Sequence, residues 1–335
     1  MNEPFFSIIL PTYNRARMAR TALRTVQWQT SGDWECWIVD DGSTDDTQSV
    51  LAEFRADARF RFITRKENKG MNASRNEAIS QAKGRFITFL DSDDLWLPRR
   101  LEAFRARAER DPGAGFLFSN AYVWRFDRML GLLFDPARAI PEGVVPGQYG
   151  VGDRELPYVT TNLALRRDFF DKYGLFRTEM KTLDTELFTR FLAHGLPVAA
   201  IREPLSVRRI HSAQLTDRAF ENFEENMQAL GSSGASPEVR NEIRLRIAHE
   251  TAGYMVKAGQ PREARELLTR EFGKDARPAL LYAAAFVPAW ALNAARALRR
   301  AWLVARHHPA WAPGALREIS RLIEPLLKEE RADKK

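Results

Sequence analysis

Between residues 1 and 100 the same pattern recurs four times: a run rich in apolar and β-branched residues that passes directly into polar residues. FSIIL (Phe6–Leu10) leads into Pro11-Thr12-Tyr13-Asn14, CWIVD (Cys36–Asp40) into Asp41-Gly42, RFRFIT (Arg59–Thr64) into Arg65-Lys66-Glu67-Asn68, and RFITFL (Arg85–Leu90) into Asp91-Ser92-Asp93. All four read as strands, FSIIL as one buried on both faces and CWIVD as a second buried strand. Between them the period lengthens. Ala16–Gln29 carries Met18, Ala22, Leu23 and Val26 at helical spacing, Ser43 or Thr44 is placed to cap a helix through Gln48 and Leu51, and Lys69-Gly70 opens another through Ala82. Alternating strands and helices predict a parallel sheet with right-handed crossovers. Ligands of such sheets bind at the carboxyl ends of the strands, where all four of these runs turn polar.

The fourth run ends in the most charged turn. FITFLDSDDLWLP (Phe86–Pro98) aims a buried strand at Asp91, Asp93 and Asp94. Carboxylates separated by one small residue at a strand end can share a divalent cation through oxygen, and Mg²⁺ and Mn²⁺ favour such sites when substrate phosphates complete the shell. The alternatives are a solvated turn, or Asp94 capping a helix that starts near Pro98. Asp40 and Asp41 also carry two readings, acceptance from a pyrimidine N3–H or ribose hydroxyl, or formation of their own D-D-G-S turn. Arg75 lies on a helix directed at the same end, where it would face a diphosphate or base edge, or simply solvent.

Composition narrows the chemistry. The chain has 335 residues, 44% hydrophobic and 28% charged, enough for two domains or one large domain with an appendage. Its one cysteine, Cys36, admits no internal disulfide and reads as a buried, inert thiol. A net charge of +7 favours an anionic partner, and no nucleic-acid-binding module is recognisable. The run before Pro11 reads as a core strand rather than a leader, and no apolar run reaches the length of a spanning helix. The turn PTYNRAR lacks the glycines of a dinucleotide fingerprint, which argues against a nicotinamide or flavin oxidoreductase.

FSIILPTYNR, IVDDGSTDDT, NKGMNASRN and FLDSDD, in this order and spacing, resemble family 2 glycosyltransferases of the GT-A fold, of the type that builds bacterial polysaccharide and lipopolysaccharide. The likeness is strong over residues 1–100 and looser to about His211. It implies an α/β, mostly parallel sheet flanked by helices, a nucleotide-diphospho-sugar donor with UDP-sugars favoured, Mn²⁺ or Mg²⁺, and inverting transfer to a glycan or glycolipid acceptor. Carried onto this chain, it assigns Pro11, Thr12, Tyr13, Arg15, Asp40, Asp41, Arg75, Asp91 and Ser92 to the nucleotide-sugar and Asp93 with Asp91 to the metal, with His211 as a further candidate. Such enzymes place a Glu-Asp pair in a helix after G-x-F-x-E. In YGLFRTEMKTLDTELFTRFLAHG (Tyr173–Gly195) Leu183 stands where the Glu is expected and Asp184 where the Asp is. Asp184 is thereby the candidate base, with Glu186 in reserve; otherwise Asp184 merely opposes a helix dipole.

Ser119–Val159 matches no motif and reads as irregular, TTNLALRR (Thr160–Arg167) as a strand, and the chain from about Ala219 as helices only. The expected division is a GT-A domain over 1–218 and an all-α extension over 219–335. In that extension the run Ala279–Leu292, broken by Pro288 and followed by a basic segment with Trp290 and Trp302 nearby, is either a helix on an anionic membrane surface or a buried hairpin with a basic face. RADKK is expected to be a disordered tail. The expected location is cytoplasmic, with peripheral attachment to the inner membrane face as the membrane-bound form. Two rivals remain: a nucleotidyltransferase, which would need a Gly- and Lys/Arg-rich phosphate loop after the first strand, and a non-catalytic scaffold with a vestigial sugar-nucleotide site, which Leu183 favours and intact Asp41, Asp91 and Asp93 oppose.

Overall fold

The structure, a computed structural model, describes residues 3–125, 128–151, 155–180, 184–210, 219–272 and 313–332. They fall into two compact units, one comprising Met1–Asp217 with Gln228–Ala235, the other Arg218–Met227 with Ser236–Lys335.

The first unit is built on a nine-stranded sheet. Strands β1 (Phe6–Thr12), β2 (Trp34–Asp40), β3 (Phe60–Thr64) and β4 (Phe86–Phe89) are parallel in the order β3-β2-β1-β4. β1, β2 and β4 are buried almost throughout, while β3, at the sheet edge, keeps Arg61 and Thr64 exposed. Ile8, Leu10, Cys36, Ile38 and Phe86 pack with helices α1 (Ala16–Gln27) and α4 (Arg100–Arg110), while Ile9, Val39, Ile87 and Phe89 pack with α3 (Met71–Gln81). That is why β1, β2 and β4 read as continuous apolar runs. Burial beside Glu35 pushes the Cys36 thiol well above its ordinary pKa.

Beyond β4 the sheet turns mixed. Strand β8 (Leu163–Arg166) is antiparallel to β4 and to β6 (Phe116–Arg125), and β9 (Val198–Ile210) runs parallel to β6 and pairs with β5 (Leu95–Trp96). β7 (Arg128–Leu132) closes a hairpin on β6. Helices α2 (Thr47–Leu51), α5 (Arg167–Tyr173) and α6 (Thr185–Ala193) complete the unit, with the 228–235 segment.

Three expectations are corrected. Part of Ser119–Val159, through Arg125 and again over Arg128–Leu132, is strand: Ser119 and Asn120 interrupt the apolar pattern, yet Asn120 is satisfied inside the sheet, its Nδ2 donating to the Phe134 carbonyl (2.8 Å) and its Oδ1 accepting from Phe134 N (3.2 Å). Thr160–Asn162 is a short 3₁₀ turn before β8 rather than part of it. α2 starts at Thr47, because Ser43 and Thr44 are drawn into the preceding loop: Asn14, at φ 51°, donates its N–H to Ser43 Oγ (2.9 Å) and accepts from Thr44 N at Oδ1 (2.7 Å).

The described elements of the second unit are helical: most of α7 (Ala219–Gly231), then α8 (Pro237–Lys257), α9 (Pro261–Phe272) and α10 (Pro313–Ala332). No helix among the described residues is long and apolar enough to cross a membrane. The Ala279–Leu292 run, Trp290, Trp302 and most of the RADKK tail lie outside them.

Candidate active site

The acidic turn after β4 is not solvated. Ser92, Asp93 and Asp94 are all buried, and only Asp91 keeps substantial side-chain exposure, 27%. Asp94 does not cap α4. Its Oδ1 accepts from the Arg209 N–H at 2.8 Å, binding the turn to β9. Asp93 Oδ2 lies 2.6 Å from Arg15 Nη1, and its carbonyl accepts from Arg209 Nε. Burial, reinforced by Asp93 and Asp91, pushes the Asp94 carboxyl well above the usual range, against the Arg209 N–H and Arg208. Asp91 is raised too, chiefly by burial and then by Asp93 and Asp184, while Arg75 pulls the other way.

Arg75 joins this turn to a second carboxylate. It is almost wholly buried on α3, so it is no surface arginine. Its Nη2 donates to Asp91 Oδ1 at 3.0 Å, and its Nη1 lies 3.5 Å from Asp184 Oδ2. The guanidinium sits over the Phe89 and Phe176 rings, 5.6 and 5.3 Å from their centroids, which fixes its plane. Asp184 stands at the N-cap of α6 but makes no side-chain cap; its carboxylate is turned toward Arg75 and the Thr160 hydroxyl instead. The reserve acid Glu186 is engaged elsewhere, buried and paired with Arg190 (3.0 Å) and Arg177 (3.4 Å) and accepting from Ser232 Oγ (3.0 Å).

At the end of β2 the two aspartates differ. Asp41 is saturated, accepting from Arg65 Nη1 (2.8 Å), Lys69 N (3.0 Å) and Gly70 N (2.8 Å), and so shapes the turn that opens α3. Asp40 Oδ1 accepts from Ser43 N at 2.9 Å, but its buried Oδ2 has no partner, and neither does the buried Thr12 Oγ1. Unsatisfied buried oxygens call for a donor or acceptor from a ligand or water. Pro11, just before Thr12 in β1, is buried, and Tyr13, just after it, is exposed. His211 and Leu183 lie outside the described residues.

Arg65, Arg209 and Thr160 were not singled out by sequence. Arg65 is legible in retrospect, since it opens the polar end of β3. Arg209 and Thr160 become informative only through their partners, which are more than a hundred and about two dozen positions away along the chain respectively.

The donor set suits a hard divalent cation. The side chains offered are carboxylates, burial and then neighbouring acids raise the pKa of Asp91 and Asp94, and Arg15 already sets one positive charge against Asp93. Among the described residues no three His, Cys, Asp or Glu side chains form a ready-made cage. A cation would therefore take one or two carboxylates and complete its shell from diphosphate oxygens and water, the arrangement Mg²⁺ prefers.

Residues 7–174, half of the chain, match the family model for Glycosyl transferase family 2. Over 138 residues the chain is 40% identical to the UDP-Glc:alpha-D-GlcNAc-diphosphoundecaprenol beta-1,3-glucosyltransferase WfgD of Escherichia coli, covering 41% of this chain and 54% of that protein. The chain thus spans about half the length of this relative. Among solved structures it resembles S. aureus TarS 1-349 in complex with UDP-GlcNAc, with a TM-score of 0.58, 18% identity and 82% of each chain covered. It also resembles the mannosyltransferase PcManGT from Pyrobaculum calidifontis in complex with GDP-Man and Mn²⁺, with a TM-score of 0.53, 20% identity, and 100% and 89% covered. These likenesses show the fold, and it is the GT-A architecture that the motifs imply.

Proposed function

This chain belongs to glycosyl transferase family 2, and on that premise we propose that it moves a sugar from a nucleotide-diphospho-sugar to a glycan or glycolipid acceptor, with inversion at the anomeric carbon, in the synthesis of a bacterial surface polysaccharide. The observation that carries this reading is the bridge made by Arg75. It draws Asp91, in the acidic turn, and Asp184, on a separate helix, into one group at the carboxyl ends of the parallel strands. A donor-side carboxylate and a possible proton acceptor held by one buried cation is what single displacement needs.

Each residue then has a task. Asp40 and Thr12 offer their free oxygens to the nucleoside, and Asp41 fixes the backbone against which it lies. Asp91 and Asp93 would hold Mn²⁺ or Mg²⁺, which when bound offsets the charge of the departing diphosphate. Arg75 keeps Asp91 and Asp184 from repelling each other apart. Asp184 takes the proton of the attacking acceptor hydroxyl as that oxygen bonds to the anomeric carbon and the nucleoside diphosphate leaves. A UDP-sugar is the favoured donor, in keeping with the UDP-Glc in the name of WfgD and the UDP-GlcNAc complex of TarS. WfgD's name gives a diphosphoundecaprenol-linked acceptor, so a lipid-linked acceptor is the reading we extend to this chain. The apolar run Ala279–Leu292 with the basic segment that follows it is the proposed contact with an anionic membrane surface.

The test is to incubate the full chain with UDP-, GDP- or dTDP-sugars, Mn²⁺ and a polyprenyl-diphosphate-linked GlcNAc acceptor, and to detect the extended lipid by mass spectrometry. Transfer from one nucleotide class supports the reading, and no transfer from any of them contradicts it. Asp93→Ala is expected to abolish the Mn²⁺-dependent part of donor affinity without unfolding the chain, measured by calorimetric titration. Donor affinity in Mn²⁺ equal to that of the unaltered protein would refute the role of Asp93.

A further inference from the structure

Thr160 belongs to none of the motifs, yet its hydroxyl donates to Asp184 Oδ2, the same oxygen that Arg75 Nη1 approaches at 3.5 Å. An aspartate at the N-cap of a helix ordinarily turns its carboxylate back onto the first N–H groups. Asp184 forgoes that bond. Two contacts on one oxygen hold it away from α6, and neither touches Oδ1.

The turn that carries Thr160 is anchored from beneath. The Thr161 carbonyl accepts from Trp96 Nε1 at 3.0 Å and from Arg100 Nη2 at 3.4 Å, and the Leu163 carbonyl accepts from Arg100 Nη2 at 3.1 Å and from Thr88 Oγ1 at 2.7 Å. Asn162 Nδ2 donates to the Ser119 carbonyl at 2.5 Å, and its Oδ1 accepts from Val159 N at 2.9 Å. Trp96 and Arg100 are fully buried, with the Arg100 guanidinium stacked 3.8 Å from the Trp96 ring centroid. Burying an arginine with no carboxylate partner is costly. Here its Nη2 serves only the turn and Thr88, the hydroxyl that also serves the turn.

We propose that Thr160 is a positioning residue for the transfer reaction: seated on the Trp96–Arg100 platform, it holds Asp184 by Oδ2 so that Oδ1 is presented to the acceptor hydroxyl rather than spent on capping α6. The proposal rests on the reading of Asp184 as the base. Trp96 and Arg100 directly follow the acidic turn in sequence, so the donor-side carboxylates and the base share one rigid support.

The test compares Thr160→Val, Thr160→Ser and Asp184→Asn in the full chain under steady-state conditions with saturating donor. Valine keeps the shape and removes the hydroxyl. Thr160→Val is expected to lower kcat about tenfold to a hundredfold, as for a misaligned catalytic group, with donor KM and thermal unfolding unchanged, and Thr160→Ser is expected to restore most of the rate. Wild-type kcat in Thr160→Val, with Asp184→Asn inactive, overturns the positioning role and leaves the base intact. Full activity in Asp184→Asn overturns the base itself. A Thr160→Val rate loss matched by an equal loss in Thr160→Ser, or by weaker donor binding, assigns Thr160 a general structural role and also overturns the proposal.

Discussion

Asparagine in place of Asp184 is expected to lower sugar transfer by about 10²–10⁴-fold, the usual contribution of a positioned general base, while nucleotide-sugar affinity stays as it was. The substitution is nearly isosteric. Its amide oxygen can still accept from Thr160, and Arg75 keeps Asp91 as an ion-pair partner, so neither the turn nor the acidic loop loses its last support. What disappears is the ability to take a proton. Glu186→Gln is the control: Glu186 is held by Arg190, Arg177 and Ser232, away from the Arg75 group, so its change should leave the chemical step intact. Single-turnover measurement with preloaded donor separates chemistry from binding. Transfer that survives Asp184→Asn and fails in Glu186→Gln would show that the proton goes to the other acid.

Arg75→Met is expected to be the most destabilising single change at the site, by about 3 kcal/mol, because it leaves carboxylates facing one another with no cation between them. That figure sits at the low end for a broken buried pair, since the Asp91 and Asp184 side chains keep 27% and 17% exposure. Methionine preserves the packing against Phe89 and Phe176 and so isolates the charge. Lysine restores the charge but cannot reach both acids in the planar fork arginine uses, so Arg75→Lys should recover part of the stability and little of the activity. Urea unfolding followed by tryptophan fluorescence reads the change. An unaltered midpoint for Arg75→Met would mean that Asp91 and Asp184 do not depend on this pairing.

The parallel half of the sheet is legible because β1, β2 and β4 are covered on both faces, which leaves apolar runs such as Phe6–Leu10 with no period to misread. The carboxyl-end rule then points to Asp40, Asp41, Asp91 and Asp93 without reference to any relative. The antiparallel half is less legible. Strand β6 is interrupted by Ser119 and Asn120: the Asn120 amide pairs with the Phe134 backbone, 14 positions on, the Ser119 carbonyl accepts from the Asn162 side chain, 43 positions on, and no local pattern announces either. The start of α2 is missed for a related reason, since Asn14 captures the residues that would have capped it. Arg75 is found by its motif, but its role as a bridge depends on Asp184, over a hundred positions later, and the support lent by Thr160 depends on Trp96 and Arg100 in another element again. Tertiary partnership of this kind is set by topology rather than by neighbours in sequence.

The central claim is that the carboxyl ends of these strands bind a nucleotide-diphospho-sugar together with a divalent cation. Thermal denaturation of the full chain with UDP, GDP or dTDP, each with and without Mn²⁺, tests it most directly. A ligand that binds only the folded protein adds about 2.7 kcal/mol at a hundredfold excess over Kd. The account predicts Mn²⁺-dependent stabilisation by one of the three, UDP first, that disappears in Asp93→Ala. No stabilisation by any nucleotide in either condition would contradict it.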